Sequence, residues 1–356
     1  MFGHGLEAMA PYRAGLLGAP DQLASVERLV RDDPVGRGAP LLAVRNPCGF
    51  SFDALLDRAL DIGWAQAGRI PLAWKSPRGF VNSARYEPDG FGWGRTFGGG
   101  LLSTCGLAST GMPSADDRDG YGLHGRIGHV PVDDVRWDVV STDGLSASVP
   151  ASAVDAVANT RGDWLRIVAD VVECGVGTPT LRLHRQLFAS LGNPVLLIVD
   201  EVTNESQSPA AHMYRHHLNL GYPLVADGTR ITSDATPFGT RDHGEGGVPG
   251  MPWDLDLDRS ATRGEEVVYF RNAPTAPGRV RVTSAPVGTC EITFDSAAFP
   301  CLIVWRDATV GVNALGIEPS TSRDEGRRAA AEQGDLIWLD GLESRTYWTS
   351  VTLRAN

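Results

Sequence analysis

The chain has 356 residues, 42% of them hydrophobic and 21% charged, which is enough apolar material for a large buried core. Its formal net charge is −11 and it has no block of basic residues, so nucleic acid is not an expected partner. No apolar run approaches the roughly 20 residues of a membrane-spanning helix, and the N-terminus lacks a secretion-signal pattern. We therefore expect a soluble, cytoplasmic protein that does not contact membranes.

Cysteine usage agrees with a reducing compartment. The five cysteines form no C-x-x-C pair. In a chain of this length they are expected to be small buried side chains rather than a disulfide framework. They are Cys48, Cys105, Cys174, Cys290 and Cys301.

Residues 1–38 are predicted to form a peripheral segment, and residues 39–356 a single β domain. Apolar residues recur at helical spacing between Pro20 and Asp33. These residues are Leu23, Val26, Leu29 and Val30. The pattern predicts a short amphipathic helix that covers one end of the domain.

The 42 glycines and 23 prolines favour short strands over helix bundles. The clearest strands lie in Trp164–Asn204, where three apolar or alternating runs with short turns predict an antiparallel meander. His184 alternates within it and is expected to face outward. Nearer the C-terminus, a short surface helix is predicted to end at Gly334. The sequence thus predicts a mainly β protein with few short helices.

Tyr86–Gly111 is rich in glycine and aromatic residues. Its three consecutive glycines, Gly98–Gly100, lack the spacing of a phosphate-binding loop and predict a bend where backbone segments approach closely. The aromatic residues are expected mainly in the core. Trp93 is the candidate for lining a ligand cleft.

The segment Met213–Pro223 carries two adjacent histidines, His216 and His217. Neighbouring residues of a strand point to opposite faces, so at most one of them enters a given cleft. His217 shares a face with Asn219, and we select it as the candidate for proton transfer. The period of two by itself leaves His216 as an alternative.

Two further stretches carry candidate groups. His124 lies in a G-L-H-G-R turn, whose glycines permit close approach of backbone or ligand. Arg126 of the same turn offers donors for substrate oxygens. A turn histidine that makes only a local hydrogen bond is an equal alternative for His124. His129 is expected outside the site. Glu318 ends an apolar strand, where burial would raise its pKa and make it a general base near neutral pH. A surface position at the strand end is the alternative for Glu318.

Together these stretches resemble the galactose mutarotase (aldose 1-epimerase) superfamily over roughly residues 40–354. The matches are His124 in L-H-G, His217 ahead of N-L-G, and Glu318 in G-I-E-P, in the order of the family. More narrowly, the chain resembles the DUF4432 branch on D-R-A-L-D-I-G, I-P-L-A-W-K-S-P, R-T-F-G-G-G-L-L-S-T-C-G-L, L-H-G-R and H-L-N-L-G-Y-P.

The resemblance implies a β-supersandwich of two large antiparallel sheets with the site in a groove. It implies an isomerase that interconverts sugar anomers, with Glu318 as base, His217 as acid and His124 steadying charge at the ring oxygen. No metal or organic cofactor is required. Expected substrate contacts are Arg126, Asp61, Asn219 and Trp93, joined by Lys75 and Arg58 if the sugar is acidic.

Two other functions stay open from the residues alone. An isomerase or lyase acting on an oxidised or acidic sugar could use the same fold, with two histidines and a carboxylate binding a divalent metal. A non-catalytic sugar-binding protein would use the groove without proton transfer. Exposed sheet edges also permit a homodimer.

Overall fold

The computed structural model describes residues 10–46, 50–115, 120–160, 162–248, 250–256 and 264–356. Within these residues, 24 strands form a 13-stranded sheet, a 9-stranded sheet and one two-stranded pair. The strands of the first sheet are β1 (Ser25–Val30), β2 (Pro40–Arg45), β3 (Phe50–Leu55), β4 (Asp61–Ala67), β5 (Ile70–Pro71), β6 (Leu102–Leu107), β13 (Ala210–Leu220), β15 (Thr236–Thr240), β16 (Gly244–Glu245), β18 (Glu265–Arg271), β21 (Cys301–Asp307), β22 (Ala314–Ser320) and β23 (Ile337–Leu339).

The second sheet lies behind the first and is also antiparallel. Its strands are β9 (Asp134–Val140), β10 (Trp164–Glu173), β11 (Leu181–Ser190), β12 (Val195–Asn204), β14 (Arg230–Ser233), β17 (Trp253–Asp254), β19 (Gly278–Ser284), β20 (Gly288–Phe294) and β24 (Ser344–Ala355). The two-stranded pair is β7 (Ser114–Ala115) and β8 (Gly120–Tyr121).

The described helices are short. The α-helices are α1 (Ala10–Arg13), α2 (Gly92–Thr96), α3 (Thr142–Ser146), α4 (Ala151–Ala156) and α5 (Arg327–Gln333). Single 3-10 turns are Pro20–Gln22, Ser83–Arg85 and Ile127–His129. In the part of the chain that the structure describes, no helix has the length and apolar character needed to cross a membrane.

The order across the first sheet is β1-β2-β3-β4-β6-β13-β22-β21-β18-β15-β16, with β5 attached to β4 and β23 to β13. Its central strands include β6, β13 and β22, so the histidine strand lies between two others rather than at an edge. All eleven residues of β13 are buried, which agrees with cover on both faces. The site-bearing side chains are therefore fixed on the most enclosed part of the sheet.

The two sheets pack together through one large apolar cluster. Ile62 and Leu218 of the first sheet and Ile167 and Leu187 of the second are fully buried members of it. Burying one such side chain contributes roughly 1.5–3 kcal/mol. Alternation along each strand directs these residues inward and leaves the opposite face for other side chains.

A polar network lies inside this interface. Arg185 of β11 donates hydrogen bonds to Asp200 of β12, Asp61 of β4 and the hydroxyl of Tyr214 on β13. His216 of β13 lies 2.6 Å from Asp200. These buried charges are compensated by one another, as burial away from water requires.

The helix predicted between Pro20 and Asp33 is wrong. A 3-10 turn at Pro20–Gln22 is followed by β1, which pairs with β2 in a register that joins Val26 to Val44. Pairing satisfies the backbone groups of β1 that face β2 and covers the edge of β2, and the β-branched Val26 and Val30 favour a strand. Tertiary pairing thus overrides the helical spacing.

Three other predictions agree with the structure. The meander is confirmed as β10, β11 and β12. The surface helix is confirmed as α5, and Gly334 ends it in the left-handed region with φ of 78°. Gly100 has φ of 99°, and an added Cβ would lie 2.5 Å from the carbonyl oxygen of Ile62, so close backbone approach requires glycine there.

Candidate active site

Alternation along β13 sends its two adjacent histidines to opposite faces. His216 contacts Asp200 between the sheets. His217 and Arg215 instead line a cavity on the face of the first sheet that is turned away from the second. The selection of His217 over His216 agrees with this placement.

The cavity has a volume of about 470 Å³ and combines ionisable with apolar walls, as small-molecule sites do. Its ionisable residues are His124, Arg215, His217, Arg241, Asp242, Glu265, Glu318 and Asp324. Its apolar residues are Phe91, Trp93, Phe97, Met112, Leu123, Val267, Ile303 and Trp305. The three stretches that were singled out in the sequence therefore meet in one space.

Strand β22 places Glu318 beside His217. The register pairs Arg215 with Ser320, which sets residue 318 across from residue 217. Nε2 of His217 lies 3.2 Å from Oε1 of Glu318. Oε2 of Glu318 accepts a 3.1 Å hydrogen bond from Nη1 of Arg215. A carboxyl group and an imidazole thus touch at one end of the cavity.

Burial controls the protonation of this pair. Desolvation raises the pKa of Glu318 to about 8 and outweighs the opposing charge of Arg215. Desolvation, with smaller contributions from His124 and Arg215, lowers the pKa of His217 well below its usual value. At neutral pH the pair therefore holds one transferable proton, on Glu318, and His217 is neutral.

His124 is the second imidazole of the cavity. Its ring centroid lies 5.7 Å from that of His217 and 4.5 Å from that of Trp93. Its φ of 58° is uncommon outside glycine, and two backbone hydrogen bonds hold it, one to Gly111 and one from Gly106. Desolvation lowers its pKa well below the usual value, so His124 is also neutral.

Aromatic rings form the wall around His217. Trp93 of α2 stacks on Phe97 with centroids 4.4 Å apart, and Phe97 lies 5.5 Å from His217. Trp305 of β21 approaches His217 from another side at 5.7 Å. The position of Trp93 in this wall fits its prediction as a cleft residue, because an indole face can stack on the apolar face of a ligand ring.

Both arginines of the cavity contact carboxylates. Arg215 lies 2.6 Å from Asp324 in addition to its bond with Glu318. Arg241 lies 3.2 Å from Asp242 and 3.3 Å from Glu265. The positive charges of the cavity are thus matched by negative charges of the protein.

Asp61 and Arg58 do not line this cavity, so the structure gives them other roles than the predicted substrate contacts. Asp61 lies between the sheets, where it accepts hydrogen bonds from Thr104 and Arg185. Arg58 is buried and donates to the carbonyl oxygens of Val81 and Thr96. Both side chains form hydrogen bonds with other buried polar groups of the protein. The sequence alone does not distinguish a polar residue with such a structural role from one that binds substrate.

Three more predicted contacts also lie outside the cavity lining. Lys75 and Arg126 are exposed. Asn219 is buried, and its amide donates to the carbonyl oxygens of Gly100 and His217. Asn219 therefore holds the backbone that carries His217 rather than facing the cavity.

His129 and His184 are placed as expected. His129 stacks on Tyr86 with centroids 4.0 Å apart and lies 3.0 Å from Arg58, away from the cavity lining. His184 faces outward on the second sheet and contacts Asp170 at 2.9 Å. Neither one joins the cluster around His217.

Sequence reasoning missed several cavity residues. Arg215 precedes His217 by two positions, so the strand period carried a signal for it. Trp305 lies on β21, next to β22, and was not distinguishable from a core aromatic residue. Asp324 and Arg241 lie in loops, where no periodicity indicates a side-chain direction.

Among the described residues, no group of three or more histidine, cysteine, aspartate or glutamate side chains is arranged to hold a metal ion. The two carboxylates nearest the histidines, Glu318 and Asp324, both contact the guanidinium of Arg215 instead. The carboxyl oxygens that a metal would need as ligands thus already contact the side chain of Arg215.

Several solved structures share this fold. A Klebsiella pneumoniae protein, described provisionally as an aldose 1-epimerase, superposes with a TM-score of 0.76 at 22% identity, over 94% of this chain and 85% of that one. A galactose mutarotase-like protein from Clostridium acetobutylicum gives a TM-score of 0.61 at 9% identity, over 94% and 100%. A galactose 1-epimerase from Lactobacillus acidophilus gives 0.57 at 11% identity, over 94% and 99%.

At these identities the likeness concerns the fold, and it confirms the predicted antiparallel sandwich. No curated protein matches the sequence. A family model described as a domain of unknown function, DUF4432, matches residues 36–353. That match covers most of the chain and confirms the branch indicated by the sequence phrases. The chain belongs to the DUF4432 family.

Proposed function

We propose that the protein is an aldose 1-epimerase-like enzyme that interconverts the anomers of a small sugar. The observation that carries the proposal is the 3.2 Å contact between His217 and Glu318 on an aromatic-walled cavity. The fold adds support, because structures that share it include proteins named galactose mutarotase-like and galactose 1-epimerase.

Anomer exchange needs one acid and one base near the anomeric carbon. The anomeric hydroxyl and the ring oxygen are both bonded to this carbon, so two protein groups that nearly touch can reach both oxygens. Glu318 takes the proton of the hydroxyl and His217 gives a proton to the ring oxygen. The ring opens, the aldehyde rotates, and closure on the other face reverses the two roles.

The resting protonation of the pair is compatible with these roles. Burial favours the neutral form, with the proton on Glu318, but the 3.2 Å contact provides a path for transfer to His217. The resulting form has a carboxylate base and an imidazolium acid, and the total proton count is unchanged. The pair therefore needs no proton from solvent to begin the reaction.

His124 and Trp93 complete the proposed binding site. The neutral imidazole of His124 lies near His217 and can donate a hydrogen bond to the ring oxygen or a neighbouring hydroxyl. Trp93 offers a ring face to the C–H face of the sugar. The proposal requires no metal or organic cofactor.

The charge of the cavity favours this reaction over the acidic-sugar alternative. Its arginines, Arg215 and Arg241, each contact two carboxyl groups of the protein, and Lys75 and Arg58 lie outside the lining. An anionic substrate would thus add negative charge without a dedicated cation to receive it.

The experiment is NMR magnetisation transfer between the anomers of hexoses, pentoses, uronic acids and sulfonated sugars. Glu318→Gln should lower anomer exchange by at least about 100-fold, because a positioned acid or base contributes roughly 10²–10⁴-fold. Glu201→Gln is the matched control, since Glu201 is exposed on β12.

No accelerated exchange of any sugar by the wild type would reject the proposal. A fully active Glu318→Gln variant would reject the role of Glu318. Sugar binding with unchanged affinity in Glu318→Gln, without exchange in the wild type, would favour the non-catalytic alternative.

A further inference from the structure

The guanidinium of Arg215 is shared between two buried carboxylates. Its Nη1 donates to Oε2 of Glu318 at 3.1 Å and to Oδ1 of Asp324 at 2.6 Å. Its Nε donates to the hydroxyl of Ser320, and Nη2 to the carbonyl oxygen of Arg323. The side chains of Arg215, Glu318 and Asp324 are 1%, 2% and 6% exposed, so solvent screens these charges little. Each of the three guanidinium nitrogens of Arg215 thus has an acceptor from the protein.

Asp324 is the closer of the two carboxylates, and its backbone is fixed. Its carbonyl oxygen accepts a 2.7 Å hydrogen bond from the amide of Met112. An added Cβ at Gly111 would lie 2.6 Å from that same oxygen, so the two segments are in tight contact. Asp324 is therefore held in place, and Arg215 cannot readily bind Glu318 alone.

The other charged groups around Glu318 are largely balanced. Arg241, across the cavity, contacts Asp242 and Glu265. The imidazoles of His217 and His124 are neutral because burial lowers their pKa values. Burial raises the pKa of the Cys105 thiol on β6, which keeps it neutral as well. The balance between Arg215 and Asp324 is thus the main charge effect on Glu318, and the two act on its pKa in opposite directions.

We propose that Asp324 is a positioning residue for the proposed reaction: by competing for the Arg215 guanidinium, it leaves Glu318 able to exchange its proton with His217 and the sugar. A glutamate that held this guanidinium alone would be a firmly ionised carboxylate and a weak base. Asp324 prevents that outcome through its 2.6 Å contact with Arg215. The role of Asp324 in catalysis rests on the proposed function, whereas its competition with Glu318 for Arg215 does not.

The test is Asp324→Asn, which removes the charge and keeps an oxygen that can accept from Arg215. We expect the alkaline limb of kcat/KM for anomer exchange to move to lower pH by about one unit or more, because Glu318 then loses its proton more easily. Asp138→Asn is the matched control: Asp138 also binds an arginine, Arg166, but on the second sheet. A merely structural role would lower kcat/KM by the same factor at every pH.

A second readout does not depend on activity. The carboxyl carbon of Glu318 can be followed by carbon-13 NMR in protein labelled at glutamate, with Glu318→Gln used for assignment. Its titration should shift to lower pH in Asp324→Asn and stay unchanged in Asp138→Asn. If Asp324→Asn does not fold, Asp324→Ser removes the same charge with a smaller side chain.

The outcomes separate the two proposals. A shifted titration together with a shifted activity limb supports both. A shifted titration in a protein that exchanges no sugar anomers supports the charge competition and rejects the proposed function. An unshifted Glu318 titration in a folded Asp324 variant overturns the inference, whether or not the wild type is active.

Discussion

At the scale of single residues, the proton balance of His217 and Glu318 follows from burial rather than from the usual acidity of the side chains. An exposed glutamate is ionised at neutral pH, whereas desolvation raises the pKa of Glu318 to about 8. Desolvation acts in the opposite direction on His217, because in that case the charged form is the protonated one. The same burial therefore makes one group hold its proton and the other release it.

This balance predicts the pH dependence of the proposed reaction. The productive pair contains one proton, and raising the pH through about 8 removes it from Glu318. We expect kcat/KM to be highest near neutral pH, to fall as the pH rises past about 8, and to fall on the acid side only where His217 becomes protonated. The measurement is kcat/KM for anomer exchange between pH ~5 and ~10. A rate that stays level to the top of that range would contradict a protonated Glu318.

At the scale of elements, β22 positions Glu318 through the residue two places before it. Gly316 is on the same face of the strand, and an added Cβ there would lie 2.7 Å from Oε1 of Glu318 and 3.1 Å from Cβ of Trp305. Oε1 is also the atom that contacts His217. A glycine at this position thus leaves the space in which the carboxyl group meets the imidazole.

Gly316→Ala should therefore reduce activity more than stability. The carboxyl end of Glu318 can move, so the fold should tolerate the methyl group, but the contact with His217 should be lost. We expect kcat/KM for anomer exchange to fall roughly 10- to 100-fold, since small displacements of reacting groups have effects of that order. Thermal unfolding measured alongside should show a small shift.

Gly18→Ala is the control for this prediction, because an added Cβ at Gly18 meets open space. Equal losses of activity and of thermal stability in Gly316→Ala would point to general damage of the sheet. Full activity would show that Glu318 does not need the position seen in the structure.

At the scale of the whole molecule, the site depends on how the two sheets are joined behind it. Tyr214 and His216 alternate along β13 with the cavity residues Arg215 and His217, and they reach the polar network around Arg185. Arg185 is fully buried and links β11 of the second sheet to β4 and β13 of the first. The strand that carries the catalytic candidates is thus anchored from the inside by buried charges.

Arg185→Met should strongly destabilise the fold. It leaves Asp200 and Asp61 without their guanidinium partner, and breaking one side of a buried ion pair costs about 3–5 kcal/mol. The measurement is the free energy of unfolding in urea. Arg182→Met is the control, because Arg182 lies on the same strand, is 36% exposed, and pairs with Glu205 at the surface. Exposed pairs contribute roughly 0–1 kcal/mol, so a similar loss in both variants would contradict the anchoring role.

The sequence by itself predicted the fold class and three candidate residues that meet in one cavity, His124, His217 and Glu318. Alternating runs separated by turn residues predict strands locally, because side chains of a strand point to opposite faces, and the meander β10–β12 follows that rule. The same period indicates that one of the two adjacent histidines faces the cleft, and the resemblance to the mutarotase motifs led to the choice of His217. His124 and Glu318 were identified from short sequence motifs. Such motifs can be recognised without knowing how the strands are arranged.

Only the tertiary structure decided which polar residues face the cavity. Asp61 and Arg58 read as substrate contacts in the sequence, yet their partners Arg185 and His129 lie far along the chain, and pairing depends on how the sheets pack. Asp324 enters the site through a loop with no period. The helical spacing near Val26 was overridden by pairing with β2. In each case the deciding contact is between residues distant in sequence, and a local pattern carries no information about it.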